Sequence, residues 1–301
     1  MSEVPGSLLA RCVFPPAGSP LTCAVSGGAD SLALLVLATA AGCEVTAVHV
    51  DHGLRAGSAG EAEVVALAAR RFGAAFRAER AKLAPGPNLE ARARAARMEI
   101  LPDDAATGHT ADDQAETMLL NLLRGAAAGG LGAMRAGPRH PVLALRRSET
   151  AALCSHLGLE PVRDPSNQDR AHRRNRVRHE VMPLLADVAQ RDVVPVLTRQ
   201  AALLTDEADL LDALSAAVDP TDVRSLIAAP PALARRAVRR WLRGDSPYPP
   251  DADTVERVIA VARGHGRACE VGAGLRVRRS RGRLALEGDP HGAAVPATDA
   301  P

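Results

Sequence analysis

The sequence predicts an α/β protein: a doubly wound parallel sheet, followed by a smaller, mostly helical part that closes on a short β element. Three observations carry this. Short apolar, β-branched runs alternate with helical stretches as far as about residue 160, the pattern of βαβ units. The first apolar run stops at a glycine pair, as a buried parallel strand does where the chain turns into a helix. From Gln190 to about Arg263 there is no strand signal, only helical periodicity broken by Pro220, Pro230-Pro231 and Pro247-Pro249-Pro250.

Taken in order, residues 21–25 form the first strand, 32–41 the helix after its loop, and 43–50 the second strand. Residues 58–72 have helical spacing with Glu61, Glu63, Arg70 and Arg71 at polar positions, and 74–78 is a weaker strand. Residues 88–101 read as a charged amphipathic helix with Asn88 as its N-cap. A short strand at 105–107, a helix at 110–124 and a further strand at 142–145 follow, and Ser148 opens a capped helix that runs to Leu157. Runs 268–271, 275–279 and 283–286, separated by glycines, form a small antiparallel sheet. Residues 288–301 are rich in Ala, Pro and Gly, lack periodicity and are expected to be disordered. The expected organisation is a catalytic domain over 1–188, a helical domain with its β element over 189–288, and a tail over 289–301.

A chain of 301 residues has room for one large α/β domain and a smaller one. Hydrophobic residues make up 47% but aromatics only 2%, so the core is built from Ala, Val and Leu. Lys82 is the single lysine, a bias toward arginine from which no function is drawn. The net charge is +2, yet arginines crowd between Arg163 and His179, again at Arg235, Arg236, Arg239, Arg240 and Arg243, and again at Arg276, Arg278, Arg279, Arg281 and Arg283. Such clusters suit a polyanionic partner, although solvated faces are the ordinary alternative. The five cysteines are odd in number, widely spaced and without a CxxC, which argues against a disulfide framework, a zinc site or an iron–sulfur cluster. No signal-peptide pattern opens the chain and no apolar stretch is long enough to span a bilayer, so a cytoplasmic protein without membrane attachment is expected. A homodimer stays open.

Between the first strand and the first helix stands Ser26-Gly27-Gly28-Ala29-Asp30-Ser31. Two glycines permit a tight loop whose N–H groups approach phosphates, and the helix aims its positive end at the same anion. Ser26 and Ser31 add hydroxyls, while Asp30 can help hold a divalent cation that bridges phosphates. A GxxxxGK[ST] string and a GxGxxG after a strand are both missing, so a Walker-type NTPase is excluded. The string resembles the PP-loop signature of the ATP pyrophosphatase superfamily. That resemblance implies the adenine nucleotide alpha hydrolase-like fold and activation of a substrate oxygen by adenylylation.

Three further strings narrow the choice. His49-Val50-Asp51-His52-Gly53-Leu54-Arg55 closes the second strand, where open α/β sheets bind ligands. Gly108-His109-Thr110-Ala111-Asp112-Asp113-Gln114-Ala115-Glu116-Thr117 leads on to Arg124-Gly125. Arg163-Asp164-Pro165-Ser166-Asn167 precedes Arg173-Arg174-Asn175-Arg176-Val177-Arg178. Asp112, Asp113 and Glu116 fall at i, i+1 and i+4 of a helix start, so two or more carboxylates share a face, suited to magnesium with ATP or to deprotonating an amine. First-turn acids also complement a helix dipole, so the carboxylates alone leave both uses open. The asparagine and arginines of the last string can fork onto phosphates or form a solvated helix start.

Together these strings resemble the tRNA(Ile)-lysidine synthetase family over roughly residues 20–185. The resemblance implies adenylation of carbon 2 of the wobble cytidine of a CAU-anticodon isoleucine tRNA, with ATP and Mg2+ as cofactors, then attack by the ε-amine of free L-lysine. It implies that Ser26, Gly27, Gly28, Ala29, Asp30 and Ser31 bind ATP, with His52, Arg55, Arg94, Arg97, Gly108 and His109 around the nucleotide. Asp30, Asp112 and Asp113 fall at the metal and catalytic carboxylates, and which of Asp112 and Asp113 does the proton work stays open. Arg178 falls among the catalytic residues, and Glu116, Arg124, Arg173, Asn175 and Arg178 where tRNA or lysine is contacted. Met98 and His140 depart from the family pattern. A tRNA cytidine 2-thiolase shares the loop but needs cysteine pairs, and GMP or asparagine synthetases lack the Gly-His–Asp-Asp segment. A non-catalytic binder would have no use for the carboxylates.

Overall fold

The computed structural model describes residues 4–51, 58–81, 92, 96, 99–162, 169–244 and 250–288. Most of the expected helix at 88–101 and the expected tail from 289 lie outside the described residues. The chain divides into two compact units, Met1–Thr205 and Asp206–Pro301.

In the first unit, a short helix α1 (Gly6–Leu9) precedes β1 (Pro20–Ala24), α2 (Ala29–Ala40), β2 (Glu44–Asp51), α3 (Ser58–Phe72), β3 (Ala75–Arg80) and β4 (Ala106–Thr107). All four strands are parallel in the order β3-β2-β1-β4, with Ala24 opposite Val48 on one side and Thr107 on the other. The chain moves outward from β1 to β2 and β3, then returns to the far side of β1. The direction therefore reverses between β1 and β4, and their carboxyl ends open a crevice of the kind in which such sheets bind ligands. Residues Leu32 to Ala38 of α2 are all buried, because this helix lies between the sheet and a later helix. Leucine, valine and alanine fill that core, as the aromatic-poor composition requires.

Helices α4 (Ala111–Leu123), α5 (Ala128–Leu131) and α6 (Arg147–His156) come next. A further run is α7 (Arg173–Arg176), a π-helical turn (Val177–Val181) and α8 (Met182–Ala189). Pro183 has no N–H for the His179 carbonyl and its ring would press on that group, so the ladder widens just before it.

Two sequence expectations are corrected. Residues 142–145 form a turn, not a strand: Leu143 N–H bonds the His140 carbonyl at 3.3 Å and Leu145 N–H the Val142 carbonyl at 2.9 Å. Val142 and Leu145 are buried, so the apolar run marks core without marking extension. The helix after it starts at Arg147, not behind a Ser148 cap. Glu149 turns back to accept the Arg146 N–H at 2.8 Å.

The second unit has its own core of Val, Leu and Ala side chains. Its helices are the carboxyl part of α9 (Val194–Ser215), α10 (Val223–Ala228), α11 (Pro231–Arg243) and α12 (Ala252–Arg263). The antiparallel sheet β5 (Ala268–Gly272), β6 (Leu275–Ser280) and β7 (Arg283–Glu287) follows, in that order, as the alternating runs predict.

Candidate active site

The loop after β1 is tied by its own serines. Ser26 N–H donates to the Ser31 hydroxyl at 3.2 Å, and that hydroxyl donates to the Gly28 carbonyl at 2.9 Å. Gly27 has φ +86°, a left-handed conformation costly for any residue with a Cβ. Gly28 caps α2 in extended geometry, and Ala29 and Asp30 begin the helix, so the free N–H groups of its first turn face the crevice mouth. Behind the loop, buried His49 on β2 holds the Val25 carbonyl through Nδ1 at 3.0 Å. Its Nε2 is a buried nitrogen without a partner among the described residues.

The loop after β4 lies against this one. A Cβ on Gly108 would stand 2.6 Å from the Asp30 carbonyl oxygen, which explains the glycine. The Thr107 hydroxyl meets Nδ1 of both His109 (2.7 Å) and His140 (2.8 Å), whose rings pack edge to face. One hydroxyl proton cannot serve both, so at least one of these imidazoles donates from Nδ1. Thr110 then caps α4, its N–H and hydroxyl donating to one Asp113 oxygen at 2.9 and 3.0 Å.

The carboxylates of α4 meet arginines from two other helices. Arg147, the first residue of α6, touches four acids. Its side chain reaches Asp113 at 2.8 Å, Glu116 at 3.1 Å and Asp30 at 3.5 Å, and its backbone N–H donates to Asp112 at 2.8 Å. Arg174 and Arg178, one turn apart, grip the buried Glu116 at 2.9 and 2.7 Å, and each approaches Asp113. Arg146 forks onto both oxygens of Asp112 at 3.1 Å and also pairs with Asp192. Thr150 donates its hydroxyl to Asp30.

These partners split the carboxylates in electrostatic character. Burial pushes Asp30 above the usual range, and its bonds to Thr150 and Arg147 only partly offset this. For Asp113 burial works the same way, but Arg147, the Thr110 N–H, Arg174 and His109 outweigh it and hold the carboxyl low. Asp112 is held low too, its burial outweighed by Arg146 and the Arg147 N–H.

Among the described residues no group of three or more His, Cys, Asp or Glu side chains is arranged to hold a metal by itself. Magnesium beside a nucleotide needs less, since one or two carboxylates serve and phosphates supply further oxygens. The Arg147 guanidinium already sits as a cation among Asp30, Asp113 and Glu116, so this carboxylate set does attract positive charge. Asp30 stands next to the glycine loop, with the Thr150 hydroxyl on one oxygen and Arg147 3.5 Å from the other, a looser hold than that on Asp112. Both oxygens of Asp112 are already occupied by arginine N–H groups.

The structure thus gathers Ser26 to Ser31, Gly108, His109, Asp112, Asp113, Glu116 and Arg178 around one crevice. Arg124 and Arg173 are exposed and outside the ion-pair cluster, and the Asn175 amide donates to the Asp169 carbonyl at 2.8 Å. His52, Arg55, Arg94, Arg97 and the string 163–167 lie outside the described residues. Arg146, Arg147, Arg174 and Thr150 escape the sequence reading. The i, i+4 spacing of Arg174 and Arg178 against the i, i+3 spacing of Asp113 and Glu116 was the available signal.

Comparison with known proteins agrees with this arrangement. Residues 8–185 match the PP-loop domain family, and residues 222–285 match the TilS substrate binding domain. The chain is 40% identical to the tRNA(Ile)-lysidine synthase of Nocardia farcinica, over 91% of this chain and 93% of that protein. Against those of Rhodococcus erythropolis and Mycobacterium tuberculosis it is 39% and 38% identical, over 87% and 85% of this chain and 88% and 85% of the relatives. Among solved structures, the U34-tRNA thiolase NcsA from Methanococcus maripaludis superposes with a TM-score of 0.53 at 15% identity, covering 66% of this chain and 78% of that one, a likeness of fold alone. The chain belongs to the tRNA(Ile)-lysidine synthase family of PP-loop proteins.

Proposed function

We propose that the protein uses ATP to join free L-lysine to carbon 2 of the wobble cytidine in a CAU-anticodon isoleucine tRNA. The cytidine carbonyl oxygen attacks the α-phosphate and pyrophosphate leaves. The lysine ε-amine then attacks carbon 2, AMP departs with the oxygen, and the amine loses its extra proton. One observation carries the reading: Arg147 links the helix behind the glycine loop, through Asp30, to the acidic face of α4.

In this proposal Ser26, Gly27, Gly28, Ala29 and Ser31 receive the pyrophosphate part of ATP on backbone N–H groups and hydroxyls. Gly108 lets the second loop close on the first, with His109 at its edge. Arg147, Arg174 and Arg178 offer guanidinium forks to the triphosphate and to charge that develops at the α-phosphate. Carboxylates held as low as Asp112 and Asp113 accept protons poorly, so their favoured task is to orient the arginines and attract the lysine ammonium. Asp30 would hold Mg2+, with Asp112 and Asp113 joining only if their arginines turn to phosphate; when bound, the ion neutralises charge on the phosphates. His52, Arg55, Arg94 and Arg97 would complete the nucleotide pocket, and Glu116, Arg124, Arg173 and Asn175 the contacts to lysine and tRNA.

A thiolase reading draws on the shared fold but not on the residues. Burial pushes the Cys23 thiol up to about 12 and those of Cys12 and Cys154 to about 11, so none is a ready thiolate. The test is incubation with labelled lysine, ATP and a CAU-anticodon isoleucine tRNA transcript, followed by nucleoside analysis. Lysine in the wobble nucleoside is the expected result. Unlabelled RNA, despite ATP–pyrophosphate exchange, would move the assignment to another adenylating enzyme.

A further inference from the structure

The second unit carries arginines that the sequence marks alike, and the structure separates those already matched from those that are not. On α11, Arg235 pairs with Glu256 and Arg236 with Asp212, each at 2.5 Å, and Arg240 donates to Ser215. On the sheet, Arg283 pairs with Asp219 at 2.9 Å and Arg276 faces Glu270 at 3.9 Å. Among the described residues Arg267, Arg279 and Arg281 make no side-chain hydrogen bond or ion pair, and Arg278 reaches only Glu287, at 3.8 Å.

Those four arginines line one open cleft of about 670 Å³ between the end of α12 and the β6–β7 hairpin. Among the described residues no acidic or aromatic side chain lines it. Gly264 ends α12 in a left-handed conformation, φ +96°, with the Arg279 guanidinium beside it. Arg281 and Gly282 are the central residues of the hairpin Ser280-Arg281-Gly282-Arg283, with φ +47° and +76°. The type I′ form of a two-residue hairpin has this left-handed pair, and Asn, Asp or Gly suits its first position better than Arg. Left-handed geometry alone does not mark Arg281, since Ala273 in the β5–β6 turn has φ +50°; what marks it is an exposed charge kept inside a cleft of like charge, which points to an anionic ligand.

We propose that this cleft grips backbone phosphates of the substrate tRNA. The inference rests on the tRNA-modifying reading above and adds to it the place on the second unit where phosphates sit. Guanidinium forks match phosphate oxygens, and the glycines leave room for a sugar–phosphate chain to approach. With no aromatic platform for stacked bases among its described lining residues, the cleft suits a paired stem held by its backbone.

The test is fluorescence anisotropy of the 301-residue chain with the isoleucine tRNA transcript, without ATP or lysine, from about 0.05 to 0.3 M salt. Each lost phosphate contact lowers the slope of log affinity against log salt by about 0.9, roughly five-fold in affinity near 0.15 M. Arg281→Asn suits the left-handed turn, so it is expected to lower the slope by one such step while Tm holds or rises. Arg267→Ala/Arg278→Ala/Arg281→Asn lowers it by about two to three steps, and Arg235→Ala leaves it unchanged. Wild-type slopes in the triple variant overturn the cleft while leaving the enzyme reading intact. Weakening by Arg281→Asn that follows a fall in Tm overturns it as well. Loss of binding to acidic phospholipid vesicles, with tRNA binding unaltered, reassigns the cleft to a membrane surface. A wild-type chain that binds no tRNA sinks the reading beneath it.

Discussion

Arg147 holds one guanidinium among three carboxylates from two helices, while its backbone serves a fourth. Removing it leaves Asp30 without an arginine and Asp113 and Glu116 held by Arg174 and Arg178 alone. Arg147→Ala is expected to lower ATP–pyrophosphate exchange by about 100-fold, the scale of losing one preorganised electrostatic donor. Arg147→Lys should recover only part, because a point charge cannot span the same three acids. Full recovery by lysine would show that charge alone matters. Glu116 stands at the other pole of the cluster, buried under Arg147, Arg174 and Arg178. Glu116→Gln strands positive charge, and a loss of about 3 kcal/mol or more in urea unfolding is the expected scale. Lost activity at unchanged stability would leave Glu116 as a substrate contact alone, with no share in holding the fold.

At the scale of elements, the site depends on two loops lying in contact. Gly108→Ala drives a Cβ into the backbone of Asp30, so the loops must part. A stability cost of about 1–3 kcal/mol, with a matching rise in KM for ATP, is expected from calorimetry and exchange kinetics. An unchanged KM would mean that the second loop does not frame the nucleotide. The loops were legible in the sequence because glycine pairs, first-turn acids and β-branched runs are local signals, and α3 was read at the bounds it has. What was not legible depends on distance in the chain. The apolar run 142–145 is buried as a strand would be, but Pro141 and local N–H bonds turn it. Arg146 and Arg147 carry no local signal of their task, and only folding brings them onto α4, more than thirty residues earlier. The π turn that carries Arg178 has no periodicity signal, since Pro183 acts on the turn before it.

Across the molecule, charge is invested unequally in the two units, and acid should reveal it. In the first unit Asp112 and Asp113 are held below the ordinary carboxyl value by arginine partners despite burial. A depressed carboxyl contributes stability that is present above its unfolded value, near 4, and is lost as pH falls through the folded value beneath it. Asp30 has the opposite sign: its raised value means the charged form is disfavoured on folding, and acid relieves that cost before the pair is protonated. The second unit's depressed carboxyls, Asp219 and Asp251, are exposed groups bonded to Thr221 and Thr254, where solvent weakens the effect. Denaturant unfolding at pH 7 and again near pH 3, followed by proteolysis to locate the opened segment, should therefore show the first unit losing more stability. Asp113→Asn should flatten that pH dependence, because its side chain has no proton to gain. Equal acid loss in both units, or an Asp113→Asn profile as steep as wild type, would mean that the arginine cluster orients ligands without carrying the fold.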